Sequence, residues 1–364
     1  MKRKAAHDLS FRRFYTMLNT MRAAVFHGRN QLRVEEVARP DPKGGEVLIK
    51  VSRCGICGTD SHIFRGNFPA PNLPLIIGHE FAGVVAAVGK GVDNVKPGDK
   101  ATADINIACG VCWYCRHHQK LFCAKVRQLG VHDAGGMAEY VISPGANVYK
   151  LPDSMPFDHA AFVEPLACAV HGQQRIGVGI GETVLIIGAG PMGLAHAALS
   201  RLRGAAKVIM SEPSAQRRAR AHAIGSDVEI DPLSDTGFDQ LMLATEGRGA
   251  DVVIEAVGRP ATYQQAIELV RRGGRILAYG AAPPNATIDL KPFDIYAKEL
   301  TIVGSYAGTY DTWPTAIDLI ASGRVNPSEI IDSVRPLDAV TRSIENMETD
   351  KSVVKIQIDV EAGA

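Results

Sequence analysis

Between residues 183 and 203 the chain reads as an apolar strand, Thr183–Ile187, a glycine-rich turn, GAGPMG, and a helical run, Leu194–Arg203. No other stretch restricts the fold as tightly. The strand shows no apolar–polar alternation, so it is expected to be buried on both faces, as in a parallel sheet covered by helices. Gly188, Gly190 and Gly193, with Met192 in the same turn, give G-x-G-x-x-G after a strand and at the opening of a helix. Glycines there let the backbone approach a pyrophosphate, and the helix N-terminus attracts its charge. Further strands are expected at Lys207–Ser211, Asp227–Ile230, Asp251–Ala256, Arg275–Tyr279 and Leu300–Val303, with helical stretches between most of them. Strands and helices in this alternation predict a doubly wound α/β sheet, the Rossmann dinucleotide fold. Glu212 closes the second strand. A carboxylate there accepts from both adenosine ribose hydroxyls and repels a 2′-phosphate, which favours NAD over NADP. Arg217, Arg218 and Arg220 follow closely and keep NADP as the alternative.

Residues 21–165 read differently. Short apolar runs at Arg22–Phe26, Val47–Val51, Gly83–Val88 and Glu139–Ile142 are separated by glycine, proline and aspartate. Asp41-Pro42 and Pro97-Gly98-Asp99 mark turns. This predicts a small, irregular barrel. A helix at Trp313–Ser322 and a strand at Ser352–Val360 are expected to return to it. A chain of 364 residues seldom forms one core, so two domains are expected. Their bounds are read as 21–168 with 306–364, and 169–305.

Residues 1–20 carry five basic side chains and one acidic, and are read as a disordered extension; the rest is slightly acidic. That balance is a poor match for a nucleic-acid-binding protein. No apolar run reaches the roughly 18–20 residues that cross a bilayer. With no secretory signal, the reducing cytoplasm is the expected compartment.

Four of the seven cysteines, Cys109, Cys112, Cys115 and Cys123, fall within fifteen residues. They are too crowded for ordinary disulfides, and C-x2-C steps can wrap one tetrahedral zinc. All four positions would be protein, so such an ion would brace a lobe. The cluster alone also fits a zinc-ribbon binding module. Cys57, His79 and Glu80 offer a thiolate, an imidazole and a carboxylate. Three protein ligands with one open position describe a catalytic zinc. Glu164, in FVEPLACAVHG, is a further carboxylate.

Gly78, His79, Glu80, Gly83 and Gly89 make G-H-E-x2-G-x5-G. With the four-cysteine lobe and GAGPMG, in this order, the chain resembles the zinc-dependent medium-chain alcohol dehydrogenases, most of all the polyol (sorbitol) and threonine dehydrogenase branch. The resemblance covers residues 21–360. It implies a GroES-like catalytic domain beside the Rossmann domain. It makes Cys57 and His79 ligands of a catalytic zinc, completed by Glu80 or Glu164, and the four-cysteine zinc structural. Cys54 is then an extra, Cys168 a core residue, and Arg217 lies over the adenine end of NAD. Thr59 and His62 match a proton exit, in which a hydroxyl beside the metal passes the alcohol's proton towards a surface histidine. Relatives of this kind imply a homodimer or homotetramer.

Two departures from sorbitol dehydrogenases affect the substrate. The stretch GSYAGTYDTWP at 304–314 is one residue longer and has no arginine, and Ile63 stands where they have tyrosine. Tyr306 and Tyr310 offer other hydroxyl contacts. The expected activity is NAD-linked oxidation of a secondary alcohol, of a polyol or sugar derivative, to a ketone. Threonine 3-dehydrogenase-like oxidation is the alternative. A non-catalytic zinc- and NAD(P)-binding relative is a rival reading, and a zinc-free quinone reductase a third; the Cys57, His79 and Glu80 set argues against both.

Overall fold

The computed structural model describes residues 20–362. The first strand, Thr20–Gly28, starts one residue before the expected domain start. The rest of the expected basic extension lies outside the described residues. No helix among the described residues is long and apolar enough to cross a membrane.

Six parallel strands form the sheet expected from the glycine-rich turn. Their spatial order is Val228–Ile230, Lys207–Ser211, Thr183–Ile187, Ala250–Glu255, Val270–Ala278 and Thr301–Gly304. Counted along the chain this is 3-2-1-4-5-6, the doubly wound order. The sheet's central positions, Val184, Leu185, Ile186, Val252, Val253 and Ile254, are fully buried, as two helical layers require. Ile187 pairs with Ser211 on one side and Glu255 on the other. Gly188, Glu212 and Ala256 therefore leave the sheet together at its carboxyl edge, where the order reverses and ligands bind. The expected strand at Arg275–Tyr279 is the end of a longer one, interrupted in register between its pairings with Ala250 and Val252.

The β-rich half holds a three-stranded sheet and a larger seven-stranded one. Glu46–Gly55 is the hub of the larger sheet, pairing antiparallel with Glu80–Val88, Tyr140–Pro144 and Ile356–Asp359. The terminal strand thus brings the end of the chain back to the first sheet. It is shorter than expected, because the Asp332 carboxylate accepts the N–H groups of both Val354 and Lys355. Among the elements that went unread in the sequence are the helix Val163–Ile176, the strand Ser333–Pro336 and the helix Val340–Thr349. The helix Val163–Ile176 ends at Gly177, whose φ of 65° only glycine adopts cheaply. It runs unbroken through the domain bound read between residues 168 and 169. Glu164, Cys168, His171 and Arg175 recur at helical spacing and share one of its faces.

Candidate active site

Cys57 occupies the N-cap of the helix Gly58–Phe64, and Asp60 caps it by accepting the Cys57 N–H at 2.8 Å. His79 and Glu80 arrive from the start of the strand Glu80–Val88. Gly78 before them has φ 92°, and a Cβ there would lie 2.8 Å from the Cys54 sulfur. Gly55 pairs with Glu80, and a Cβ on it would meet Glu80 Oε2 at 2.0 Å. Both glycines are therefore required where the two strands bring the side chains together. The ligand atoms of Cys57, His79 and Glu80 all lie within 4.8 Å of one another.

Three further groups complete this pocket. Asp60, fully buried, faces His79 Nδ1 at 3.6 Å. Lys355, from the base of the terminal strand, pairs with Glu80 and donates to the Ile56 carbonyl at 2.9 Å. Glu164 lies outside the set of three but next to it, and accepts from the Cys168 thiol at 3.3 Å. Cys168, read as a core residue, thus borders the site.

The charges are arranged for a cation. Burial alone would lower the His79 pKa, but Asp60 and Cys57 raise it well above the imidazole range. Burial pushes Glu164 up to about 7, with Glu80 adding to the rise and His79 opposing it. Asp60 Oδ1 and His79 Nδ1 are buried without hydrogen-bond partners. A thiolate, an imidazole and carboxylates with unmet charge are a donor set that fits zinc.

Thr59 Oγ1 stands 3.7 Å from the Cys57 sulfur. His62 lies three residues further along the same helix and is exposed. The structure thus places a hydroxyl beside the candidate ligand and an imidazole at the surface.

Cys109, Cys112, Cys115 and Cys123 gather at the lobe, with Cys112 and Cys115 sulfurs 3.5 Å apart and no disulfide among them. Backbone N–H groups of Cys109 and Lys125 point at the Cys123 sulfur, at 3.5 and 3.4 Å. Cys109 is lowered to about 6 by the backbone N–H groups of Val111 and Cys112, whereas burial raises Cys115 to about 12. Four sulfurs converging with amide support fit a closed zinc site.

At the glycine-rich turn, Gly188 has φ 98°, Gly190 caps the helix Pro191–Leu202, and Met192 is half-buried in its first turn. A Cβ on Gly193 would sit 1.8 Å from the Gly188 carbonyl oxygen, while one on Gly190 would meet nothing within 4 Å. The turn is therefore closely packed at one glycine and open at another, a cradle that fits a pyrophosphate. Glu212, largely buried, accepts from the Ala189 N–H at 2.8 Å and the Ser214 N–H at 2.9 Å. The Arg217 guanidinium donates to the Val353 carbonyl, and Arg218 is the arginine that contacts Glu212, at its backbone carbonyl.

Asp60 and Lys355 were not singled out in the sequence as site residues. Asp60 stands in the ICGTD segment and gives a signal there, but Lys355 gives none, because its partner is 275 residues away in the chain.

Comparison with known proteins agrees with this geometry. Residues 43–153 match the alcohol dehydrogenase GroES-like domain, and residues 191–322 the zinc-binding dehydrogenase domain. L-threonine 3-dehydrogenase of Pyrococcus horikoshii is 38% identical over 87% of this chain and 92% of its own length. D-arabitol-phosphate dehydrogenase of Enterococcus avium is 32% identical over 91% of this chain and 95% of its own. A zinc-binding dehydrogenase of Sinorhizobium meliloti, solved with NADP, superposes with a TM-score of 0.89 at 34% identity, over 94% of this chain and 99% of that one. The fold and site define a zinc-type dehydrogenase acting on alcohols with a nicotinamide cofactor. The chain belongs to the zinc-dependent medium-chain alcohol dehydrogenases, in the branch that holds the polyol and threonine dehydrogenases.

Proposed function

We propose that this chain oxidises a secondary alcohol to a ketone with NAD⁺, and that the alcohol belongs to a polyol or sugar derivative. The observation that carries the reading is the open, three-sided set of Cys57, His79 and Glu80 beside Thr59 and the exposed His62. His79 would ligate zinc through Nε2, because Asp60 faces Nδ1. Cys57 completes the pair of firm ligands. Glu80 is held by Lys355, and Glu164, bonded to the Cys168 thiol, is the further carboxylate at the site. A zinc ion held by these residues would supply the Lewis acidity that lowers the pKa of a bound alcohol. Thr59 takes up the proton, and His62 passes it to solvent. The glycine-rich turn holds the cofactor's pyrophosphate and Glu212 its adenosine ribose, which favours NAD over NADP. A second zinc, in the four-cysteine lobe, is structural.

Oxidation of L-threonine or a similar amino alcohol is the second reading, favoured by the 38% identity to the threonine dehydrogenase. The domain division is read as before, with the helix Val163–Ile176 as the connection. Seven unpaired cysteines favour a reducing cytoplasm. The edge strand Thr301–Gly304, with Ile302 on it and Phe293 and Tyr296 exposed nearby, suits pairing with a second copy in a homodimer or homotetramer.

A panel of polyols, amino alcohols and simple secondary alcohols, followed by NADH absorbance, tests the activity. Elemental analysis should give two zinc ions per chain. Full activity in protein with one zinc or none would overturn the metal assignment, and no NADH with any alcohol would overturn the activity.

A further inference from the structure

A file of buried polar groups runs from the cysteine lobe to the loop after the last Rossmann strand. Lys120, between Cys115 and Cys123, forms an ion pair with Asp104, their side chains 2% and 1% exposed. The other Asp104 oxygen accepts the backbone N–H and the Nδ2 of Asn106, at 2.9 and 3.1 Å. Asn106 Oδ1 accepts from Gln128 Nε2 at 2.7 Å, and Gln128 Oε1 accepts from the Tyr306 hydroxyl at 3.2 Å. The same loop is touched twice more. Asn106 Nδ2 lies 3.4 Å from the Gly308 carbonyl oxygen, and Lys120 Nζ lies 4.2 Å from the Tyr310 ring centroid.

The direction of each bond follows from its neighbour. Both Asp104 oxygens accept, one from Lys120 and one from Asn106, so Asn106 turns its NH2 towards Asp104 and its carbonyl towards Gln128. Gln128 donates there and presents its own carbonyl to Tyr306. Tyr306 must then donate, which leaves its oxygen free to accept on the other side. A buried ion pair is no better for stability than apolar side chains of similar volume. It does fix the polarity of everything attached to it.

Tyr306 is half exposed and lines a cavity of about 480 Å³ together with Lys120, His171, Ser305 and Thr309. His171 shares its helix face with Glu164 and Cys168. Through His171 the cavity adjoins the helix that carries the candidate ligand Glu164.

We propose that Lys120, Asp104, Asn106 and Gln128 are positioning residues that hold Tyr306 as a hydrogen-bond acceptor for the substrate. Alcohols bearing an O–H or N–H donor next to the reacting carbon are selected in this way. The assignment rests on the alcohol oxidation proposed above. The shared chemistry covers a polyol hydroxyl and the ammonium of an amino alcohol.

The test compares kcat/KM of the zinc-loaded enzyme for 2,3-butanediol and L-threonine with that for 2-butanol. The ratio of the better donor-bearing alcohol to 2-butanol should fall about 3- to 30-fold in Tyr306→Phe, mainly through KM. Which of the two alcohols shows the fall identifies the donor. Asp104→Asn should lower the ratio in the same direction. Gln128→Met, which leaves the ion pair intact, decides the matter should Asp104→Asn fail to fold. Gln128→Met combined with Tyr306→Phe should be no worse than Tyr306→Phe alone. An unchanged ratio, or additive losses in the double variant, overturns the assignment even where melting temperatures fall. A wild type that oxidises no alcohol overturns the activity and this assignment together, whereas an active enzyme with an unchanged ratio overturns this assignment alone.

Discussion

The ammonium of Lys355 and the carboxylate of Glu80 form an ion pair in which each side chain is only 2% exposed. Burial disfavours the lysine's charge, but Glu80, Cys57 and Asp60 raise its pKa and hold it protonated. The residue just before the last strand thus supplies a cation to a pocket otherwise rich in acids. Lys355→Met would leave Glu80 buried and unpaired, a change that typically costs about 3–5 kcal/mol. A bound metal would take over much of that compensation. The variant should therefore lose more thermal stability in chelator than with zinc. Equal losses under both conditions would show that Glu80 does not face the metal.

In the proposed reading, Glu212 carries the choice of dinucleotide. A carboxylate facing a 2′-phosphate in a partly desolvated site costs a few kcal/mol, roughly tens to hundreds of fold in affinity. Glu212→Ala should weaken NAD⁺ binding and improve NADP⁺ use. Both oxygens of Glu212 also accept backbone N–H groups of the turn and the following loop. Glu212→Gln keeps part of that bonding, so it should relax the preference with less loss of overall affinity. A wild type that already prefers NADP⁺ would contradict this reading, as measured by cofactor titration.

What the sequence revealed depended on range. The Rossmann strands are short apolar runs, and the GAGPMG turn sits between a strand and a helix, so local pattern was enough. The cysteine lobe was equally plain, because its four cysteines lie close in the chain. The helix Val163–Ile176 was hidden by Pro165, which reads as a breaker but is tolerated in a first turn. The helix Val340–Thr349 sets Val340, Ile344 and Met347 at helical spacing on one face, a short pattern that was legible in the sequence. Lys355 and the file from Lys120 to Tyr306 depend on contacts across the fold. Only the paired strands Glu46–Gly55 and Ile356–Asp359, or the packing of lobe on loop, bring those residues together.

Proton exit can be tested apart from metal binding. His62 is exposed and outside the candidate ligand set, so His62→Gln should retain zinc and NAD⁺ affinity. Oxidation should slow at neutral pH and recover at higher pH or with small added buffers. General acid–base assistance is worth about 10²–10⁴-fold, and loss of its outermost member should cost less, because water replaces it in part. Thr59→Ala should cost more, since its hydroxyl adjoins the Cys57 sulfur. Near-normal turnover in Thr59→Ala, or loss of zinc in His62→Gln, would mean that the roles are assigned wrongly.

The last prediction concerns stability and uses a group outside the candidate ligand sets. His196 is fully buried on the helix Pro191–Leu202, with its ring edge-on to Tyr279 and Nδ1 3.3 Å from Gln173 Nε2. Burial lowers its pKa to about 3, against 6.5 for an ordinary histidine. The unfolded chain therefore binds a proton below pH 6.5 that the native state refuses until about pH 3. Stability must fall as the pH drops through this window. Between pH 6.5 and pH 5 the loss from this one group is about 2 kcal/mol. His196→Asn keeps an acceptor for Gln173 but cannot titrate. It should be less stable than the wild type at pH 7, because the smaller side chain leaves a gap against Tyr279. Its melting temperature should nevertheless fall less between pH 7 and pH 5, by about 4–8 °C on the usual scale for a domain of this size. Thermal unfolding of both proteins at the two pH values measures the difference. An identical pH-dependent loss in the variant would show that His196 is not the group responsible.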